Sequence, residues 1–337
     1  MSIPQLGITV LWLFLYGYLM VASVDFGAGF YAYYAKWKKK DPQMVKLINR
    51  YLSPVWEVTN VFFVFFFVGL VGFFPDTAYY YGTSLLIPGS IALVLLTIRG
   101  SFYAFENYGS KQNRVYMFLY GATGLLIPAA LSTALTISEG GFLEKHGNTV
   151  VFLASKLFTS FYSWSVVFLA IVSVLYISAS FLTYYADRAG DKESVGILRK
   201  FALFWSVPTI IASLLVFMTM REHNRLHFEN MVDIWWVFAL SFACFLGATH
   251  YLFHQKRYGL AFLFVMFQFF FAFFGYGIGH LPYILDPYIT IYSGFTNETM
   301  GIALVIVFIL GLLLLIPSLY LLLRLFLFDA KYIRGEK

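Results

Sequence analysis

Long apolar runs separated by short polar connections organise this chain. Nine can be drawn, over residues 6–34, 52–74, 84–105, 115–137, 151–185, 201–220, 232–253, 259–280 and 299–328. A helix needs about 20 mostly apolar residues to cross a bilayer, because hydrocarbon holds no water to satisfy free backbone groups. Each run reaches that length or nearly so, and the fifth and ninth leave room for tilt or projection. The pattern therefore predicts an all-α integral membrane protein with nine transmembrane helices.

Composition agrees. With 60% hydrophobic and 12% charged residues among 337, too little polar surface exists to cover a water-soluble globule. The 21% aromatic content follows from the same setting. Phe fills lipid-facing and helix-packing surface, while Tyr and Trp near the run ends act as interfacial anchors.

Charge adds an orientation. If the N-terminus is outside, all of the 23 Lys and Arg except Lys145, Lys156, Arg221 and Arg225 fall on the inner side. Cytoplasmic loops collect cations, so the N-terminus is expected outside and the C-terminus in the cytoplasm of a prokaryotic cell, as an odd helix count requires. Topology explains the cluster Lys36, Lys38, Lys39 and Lys40 fully, and no nucleic-acid partner is expected. The first run lacks a basic n-region and is too long for a signal-peptide core, so it reads as a retained helix. The single Cys244 sits within the seventh run and can make no internal disulfide. No connection is long enough to fold as a soluble domain. The tetrapeptide Leu-Leu-Ile-Pro recurs at 85–88, 125–128 and 314–317, an echo that a Leu-rich chain also produces by chance. It does put proline inside helices, which membranes tolerate.

One residue breaks the apolar pattern. Asp25 lies about 11 residues before Lys36, or roughly 16 Å along a helix, near mid-bilayer. A carboxylate there costs at least ~2.5–3.5 kcal/mol on insertion scales, so it should face protein or water. Ala22, Ala28, Gly29 and Ala32 share its face and, with Gly17, permit close helix contact. Asp25 is expected either to carry protons or to bond another helix for structure. Glu57, at the start of the second run, has Ser53 and Asn60 on the same face. It reads as a proton entrance at the cytoplasmic mouth or as a first-turn acid complementing the helix dipole. Arg99 and Glu106 share a face near the inner surface, as interfacial anchors or as partners of these acids. Lys156 can snorkel to the surface from the outer end of its run.

Six histidines raise the question of haem or metal, which bundles hold with imidazoles on inward faces. His250 and His254 have the i, i+4 spacing of a shared metal but fall at an inner helix end. His146, His223 and His227 lie in or beside outer loops, and His280 ends the eighth run. No haem iron and no metal ligand is expected on this chain.

Several stretches resemble subunit II of the cytochrome bd-type quinol oxidases. Residues 11–30, LWLFLYGYLMVASVDFGAGF, are similar to that family's first helix. Ser53-Pro54-Val55-Trp56-Glu57 resembles the turn opening its second helix, and Arg99-Gly100 with the aromatic run to Phe105 and Glu106 resembles the end of its third. Residues 281–290, LPYILDPYIT, resemble the loop before its last helix. The similarity runs in order along the whole chain. It implies two four-helix bundles, residues 1–137 and 151–280, plus a peripheral helix over 299–328. It implies a partner, subunit I, that oxidises quinol, reduces oxygen to water and holds two b-type haems and one d-type or variant haem. A small single-helix subunit and membrane lipids are further expected partners. This chain would support subunit I and conduct protons from the cytoplasm, with Asp25, Glu57, Ser53 and Asn60 as pathway residues and Arg99 and Glu106 supporting them. The longer-studied branch carries a second acid where this chain has Asn60, which interrupts any wire inherited through it. A secondary transporter with Asp25 as coupling-ion site is the competing expectation, although no inverted pairing of broken helices is visible.

Overall fold

A computed structural model describes residues 2–37, 42–108, 114–147, 149–322 and 324–325; the side chains of residues 42, 43, 46, 49–58, 102–108, 114 and 322 lie outside the description. The elements are α1 (Ile3–Trp37), α2 (Pro42–Phe73), α3 (Asp76–Ser84), α4 (Leu86–Tyr108) and α5 (Arg114–Ser138), then a hairpin of β1 (Leu143–His146) and β2 (Thr149–Phe152). They continue with α6 (Ala154–Thr159), α7 (Phe161–Ala189), α8 (Lys192–His223), α9 (Arg225–Asp233), α10 (Trp235–Phe253) and α11 (Tyr258–His280). A second hairpin of β3 (Tyr283–Leu285) and β4 (Ile289–Thr290) leads to α12 (Glu298–Leu322).

Among the described residues seven helices are long and apolar enough to cross a membrane, and eight if α3 and α4, bent by 77° across their break, form one span. In α2 the described apolar stretch is the shorter Thr59–Phe73. The helix itself begins well before the apolar run at residue 52. Its first turns are amphipathic, with Met44, Leu47 and Ile48 buried at i, i+3, i+4 spacing, and a window sensitive to Lys46 and Arg50 stops short of them. Glu57 therefore lies about four turns inside α2, not in its first turn, and the dipole-capping reading fails.

The fifth run is also redrawn. Val151 and Phe152 belong to the first hairpin, where they pair with Glu144 and Leu143. The spanning helix starts at Phe161, where the Ser160 side chain accepts from the Ser163 amide as N-cap. It ends at Gly190, whose left-handed φ of 76° no β-carbon would favour, and Asp191 then caps α8 through Ser194. The seventh run splits likewise, between α9 and α10.

Helix α1 packs on α2, α5 and α7, while α7 packs on α8 and α11. Small residues let α1 and α7 cross closely: a β-carbon at Gly27 would collide with Ser178, whose hydroxyl donates to the Val24 carbonyl at 3.0 Å. Tyr31 donates to the Leu175 carbonyl at 2.8 Å across the same crossing. In α7, 72% of the apolar window is buried, whereas in α12 it is 6%. Helix α12 packs on α1 and α2 with Phe308 set against Phe14, Phe65 and Phe73 and Leu304 and Leu312 beside it. Both hairpins, α3, α6 and α9 gather at the end of the molecule where α1 begins.

Candidate functional site

Two clusters of buried ionisable side chains stand out in the interior. The first is built on Asp25 of α1 and Arg99 of α4, both essentially without solvent contact. Arg99 Nε donates to Asp25 Oδ2 at 3.1 Å, Nη2 to the Asp25 carbonyl at 2.6 Å and Nη1 to the Tyr120 carbonyl at 3.0 Å. The guanidinium plane also lies 4.1 Å from the Tyr120 ring centroid and 5.3 Å from that of Phe26. Gly29 makes room for it: a β-carbon there would stand 3.0 Å from Nη1 and 2.9 Å from the Tyr120 carbonyl. At Gly124 a β-carbon would collide with the Phe26 carbonyl. Ala28 and Ala32 are fully buried beside them, as the small-residue face of α1 predicts.

Of the two expectations for Arg99, the interfacial anchor is corrected, because α4 runs on to Tyr108 and sets Arg99 roughly two and a half turns inside the helix. The alternative, a partner for the acids, is what the structure shows for Asp25, which faces protein and bonds another helix as its mid-bilayer position requires. Asn60 is half-buried on α2, next to buried Thr59. The side chains of Ser53, Glu57 and Glu106 lie outside the described residues. The backbone still relates them to Asp25. Gly7 faces Phe73, Phe14 faces Phe65 and Gly17 faces Phe62 across the antiparallel pair. Continued along both helices, this register brings the Glu57 turn level with Ala22 and Ser23, so Glu57 lies no nearer than Asp25 to the end of the molecule where α1 ends.

The second cluster is absent from the sequence reading. Glu139 follows α5 and is 2% exposed. Its carboxylate receives the Tyr276 hydroxyl, the Asn224 amide at 3.1 Å, and His227 Nδ1 at 2.9 Å from each oxygen. His227 Nε2 donates to the Tyr276 carbonyl at 3.0 Å, and His280 Nδ1 lies 3.4 Å from Glu139 Oε1. Asn224 is the N-cap of α9, accepting from the His227 amide, and its amide also reaches Asp286 at 3.1 Å. The Asp286 amide donates to the Ser138 carbonyl at 2.9 Å, which ties the second hairpin to the end of α5. Gly140 must be glycine on two counts: its φ is +80°, and a β-carbon would stand 2.6 Å from the Asp286 carbonyl. Nearby, His223 stacks between Phe142 and Tyr162 and bonds the Gly140 carbonyl at 3.2 Å.

Electrostatics follow from this crowding. Burial pushes the Glu139 carboxyl upward, but the neighbouring His280, the hydrogen bond from His227 and the His227 charge together hold it well below the usual carboxylate range. Burial raises Asp286, with Glu139 adding to the shift and His280 and Asn224 opposing it. Both ring nitrogens of His227 face oxygen atoms, Nδ1 the Glu139 carboxylate and Nε2 the Tyr276 carbonyl. The sequence could not assemble this cluster. His227 and Glu139 are separated by 88 positions, and each sits where a hydropathy profile expects polar residues. The one local hint is an acid between an apolar run and a Gly-Gly pair. His250 and His254, at the spacing noted above, lie with ring centroids 4.4 Å apart and tilted by 53° on an exposed helix end.

Residues 3–326 match the family model for cytochrome bd terminal oxidase subunit II. The chain belongs to that family. It is 36% identical, over 98% of both chains, to a protein of Bacillus subtilis (strain 168) named as a putative cytochrome bd menaquinol oxidase subunit II. It is also similar to a chain in the solved bd oxidase of Geobacillus thermodenitrificans, with 57% identity, a TM-score of 0.86, and coverage of 98% of this chain and 100% of that one. The chain is thus a multi-pass membrane subunit of a bd-type quinol oxidase of the respiratory chain, and subunit II implies a subunit I. Membership in this family sets aside the secondary transporter with Asp25 as coupling-ion site.

Proposed function

We propose that this chain is the supporting, proton-conducting half of the oxidase, with the two b-type haems and the d-type or variant haem carried by subunit I. Menaquinol is the substrate that the name of the B. subtilis relative suggests for the complex. A small single-helix subunit and bound lipids complete the expected assembly. The N-terminus faces outward and the C-terminus the cytoplasm, which gives α2 a full crossing and makes nine spans. Two four-helix groupings, α1 with α2, α4 and α5, and α7 with α8, α10 and α11, support the two-bundle reading. The exposed α12 supports a peripheral helix. Each grouping also carries the same device, a nine-residue helix broken from the next span, α3 before α4 and α9 before α10.

The observation that carries the proton role is the buried Asp25–Arg99 pair, polar groups deep in a chain whose oxidase must take up protons to make water. Asp25, Glu57, Ser53 and Asn60 line the route, Arg99 supplies the counter-charge, and Glu106 supports it from the far end of α4. Because Glu57 lies level with Ala22 and Ser23, within a turn of Asp25 and no nearer the cytoplasm, the two act as neighbours, bridged by water or by Ser23, and not as an entrance followed by a deeper relay. Asp25→Asn keeps an acceptor for Arg99 and removes the titratable group. We expect that complex to assemble with normal haem absorption and to consume oxygen more slowly, with Glu57→Gln milder. Turnover equal to wild type across pH would reduce Asp25 to a structural acid.

A further inference from the structure

The Glu139 cluster has the donor set and spacing of a metal site. We propose that Glu139, His227 and His280 bind one divalent ion of zinc type at the end of the molecule where α1 begins. Three donors from three separate elements converge: the residue after α5, the first turn of α9 and the last residue of α11. Their ligand atoms all lie within 4.8 Å of one another. Two imidazoles with one carboxylate form a set that borderline first-row ions favour, with a fourth position left for water.

One distance in the cluster departs from that of a simple ion pair. Ligands about 2.0–2.1 Å from a tetrahedral ion stand about 3.3 Å apart, whereas a charged N–H···O bond is about 2.7–2.9 Å long. His280 Nδ1 is 3.4 Å from Glu139 Oε1, a polyhedron edge more than a hydrogen bond. His227 Nδ1, equidistant at 2.9 Å from both carboxylate oxygens, is where a proton stands in for the ion. The ring of His227 is oriented as ligating histidines are, its other nitrogen donating to a backbone carbonyl, that of Tyr276. His280 Nε2 makes no hydrogen bond among the described residues although the ring is only 9% exposed, while the ring itself is held against Tyr276 and His227. Asn224 and the Tyr276 hydroxyl hold the carboxylate in turn. Half-buried Asp286, joined to the cluster through Asn224, gives a cation its way in from the surface. Binding displaces the His227 Nδ1 proton to solvent and leaves Nε2–H in place. The ion then clamps α5, α9 and α11 together.

The test uses the purified complex, loaded with zinc chloride, desalted and analysed by elemental mass spectrometry, where haem iron does not interfere. About one zinc per complex is expected for wild type, falling below roughly a tenth in a His227→Ala/His280→Ala double variant. At the zinc K-edge, wild type should show nitrogen and oxygen neighbours at about 2.0–2.1 Å with imidazole outer scattering and no sulfur. Wild type that retains no zinc after loading, or a double variant that retains it fully, overturns the proposal. Where the double variant does not assemble, the wild-type spectrum decides, and zinc without imidazole scattering overturns it equally.

Discussion

A guanidinium buried to 0% exposure is affordable only because every direction it points in is answered. Arg99 meets a carboxylate, two carbonyls and two aromatic faces, so removing it takes away all of these contacts at once, whereas removing Asp25's charge leaves Arg99 its carbonyls. Breaking a buried pair from one side costs about 3–5 kcal/mol. Arg99→Ala should therefore reduce the yield and thermal midpoint of the complex far more than Asp25→Asn. Arg99→Lys should fall near Ala, because an ammonium cannot span the three acceptors. If Arg99→Ala were as stable as Asp25→Asn, the pair would not be the keystone of the α1–α4–α5 junction. At this scale the sequence was legible only where chemistry contradicts its surroundings. Asp25 stands out within an apolar run. Arg99, Glu139, His227 and His280 all lie near run ends, where polarity is expected and burial is invisible.

At the scale of elements, hydropathy anticipates the seven spanning helices found among the described residues, or eight with the bent α3–α4 pair, but not how they end. An apolar stretch too short for a span reads alike as strand or helix, so hydropathy joins Val151 and Phe152 to the fifth crossing although they pair in a hairpin. The breaks before α4 and α10 were equally hidden, since Leu85 and Ile234 are apolar residues at positions where the chain turns. Local capping chemistry explains what periodicity missed. Asn224 caps α9 and with the same side chain joins Glu139 to Asp286, so one amide holds a helix start, a helix end and a hairpin. Loss of an N-cap alone costs about 1 kcal/mol, and leaving the Glu139 contacts unmade adds to it. Asn224→Ala should raise amide hydrogen exchange across residues 225–233 and in the β3–β4 loop while leaving α1 and α7 protected. Unchanged exchange in α9 would show that its packing, not this cap, sets its stability.

For the whole molecule, the two ends differ in kind. One gathers the hairpins, the short helices and the Glu139 cluster into a folded cap; the other carries most of the Lys and Arg in its connections. A charge count could see this asymmetry without any structure, because retention of cations in the cytoplasm acts on loops and not on their fold. The cap itself was illegible, since it is built from contacts between residues far apart in the chain. Together these features predict which end faces outward. In a Cys244→Ala background, Ser293→Cys beside β4 should react with a membrane-impermeant thiol reagent in intact cells, and Lys192→Cys at the start of α8 should react only after the membrane is opened. Both positions are exposed, so failure to react is a matter of side and not of burial. The reverse pattern would invert the molecule in the membrane. It would also put the Glu139 cap in the cytoplasm and reverse the direction of any proton route through Asp25.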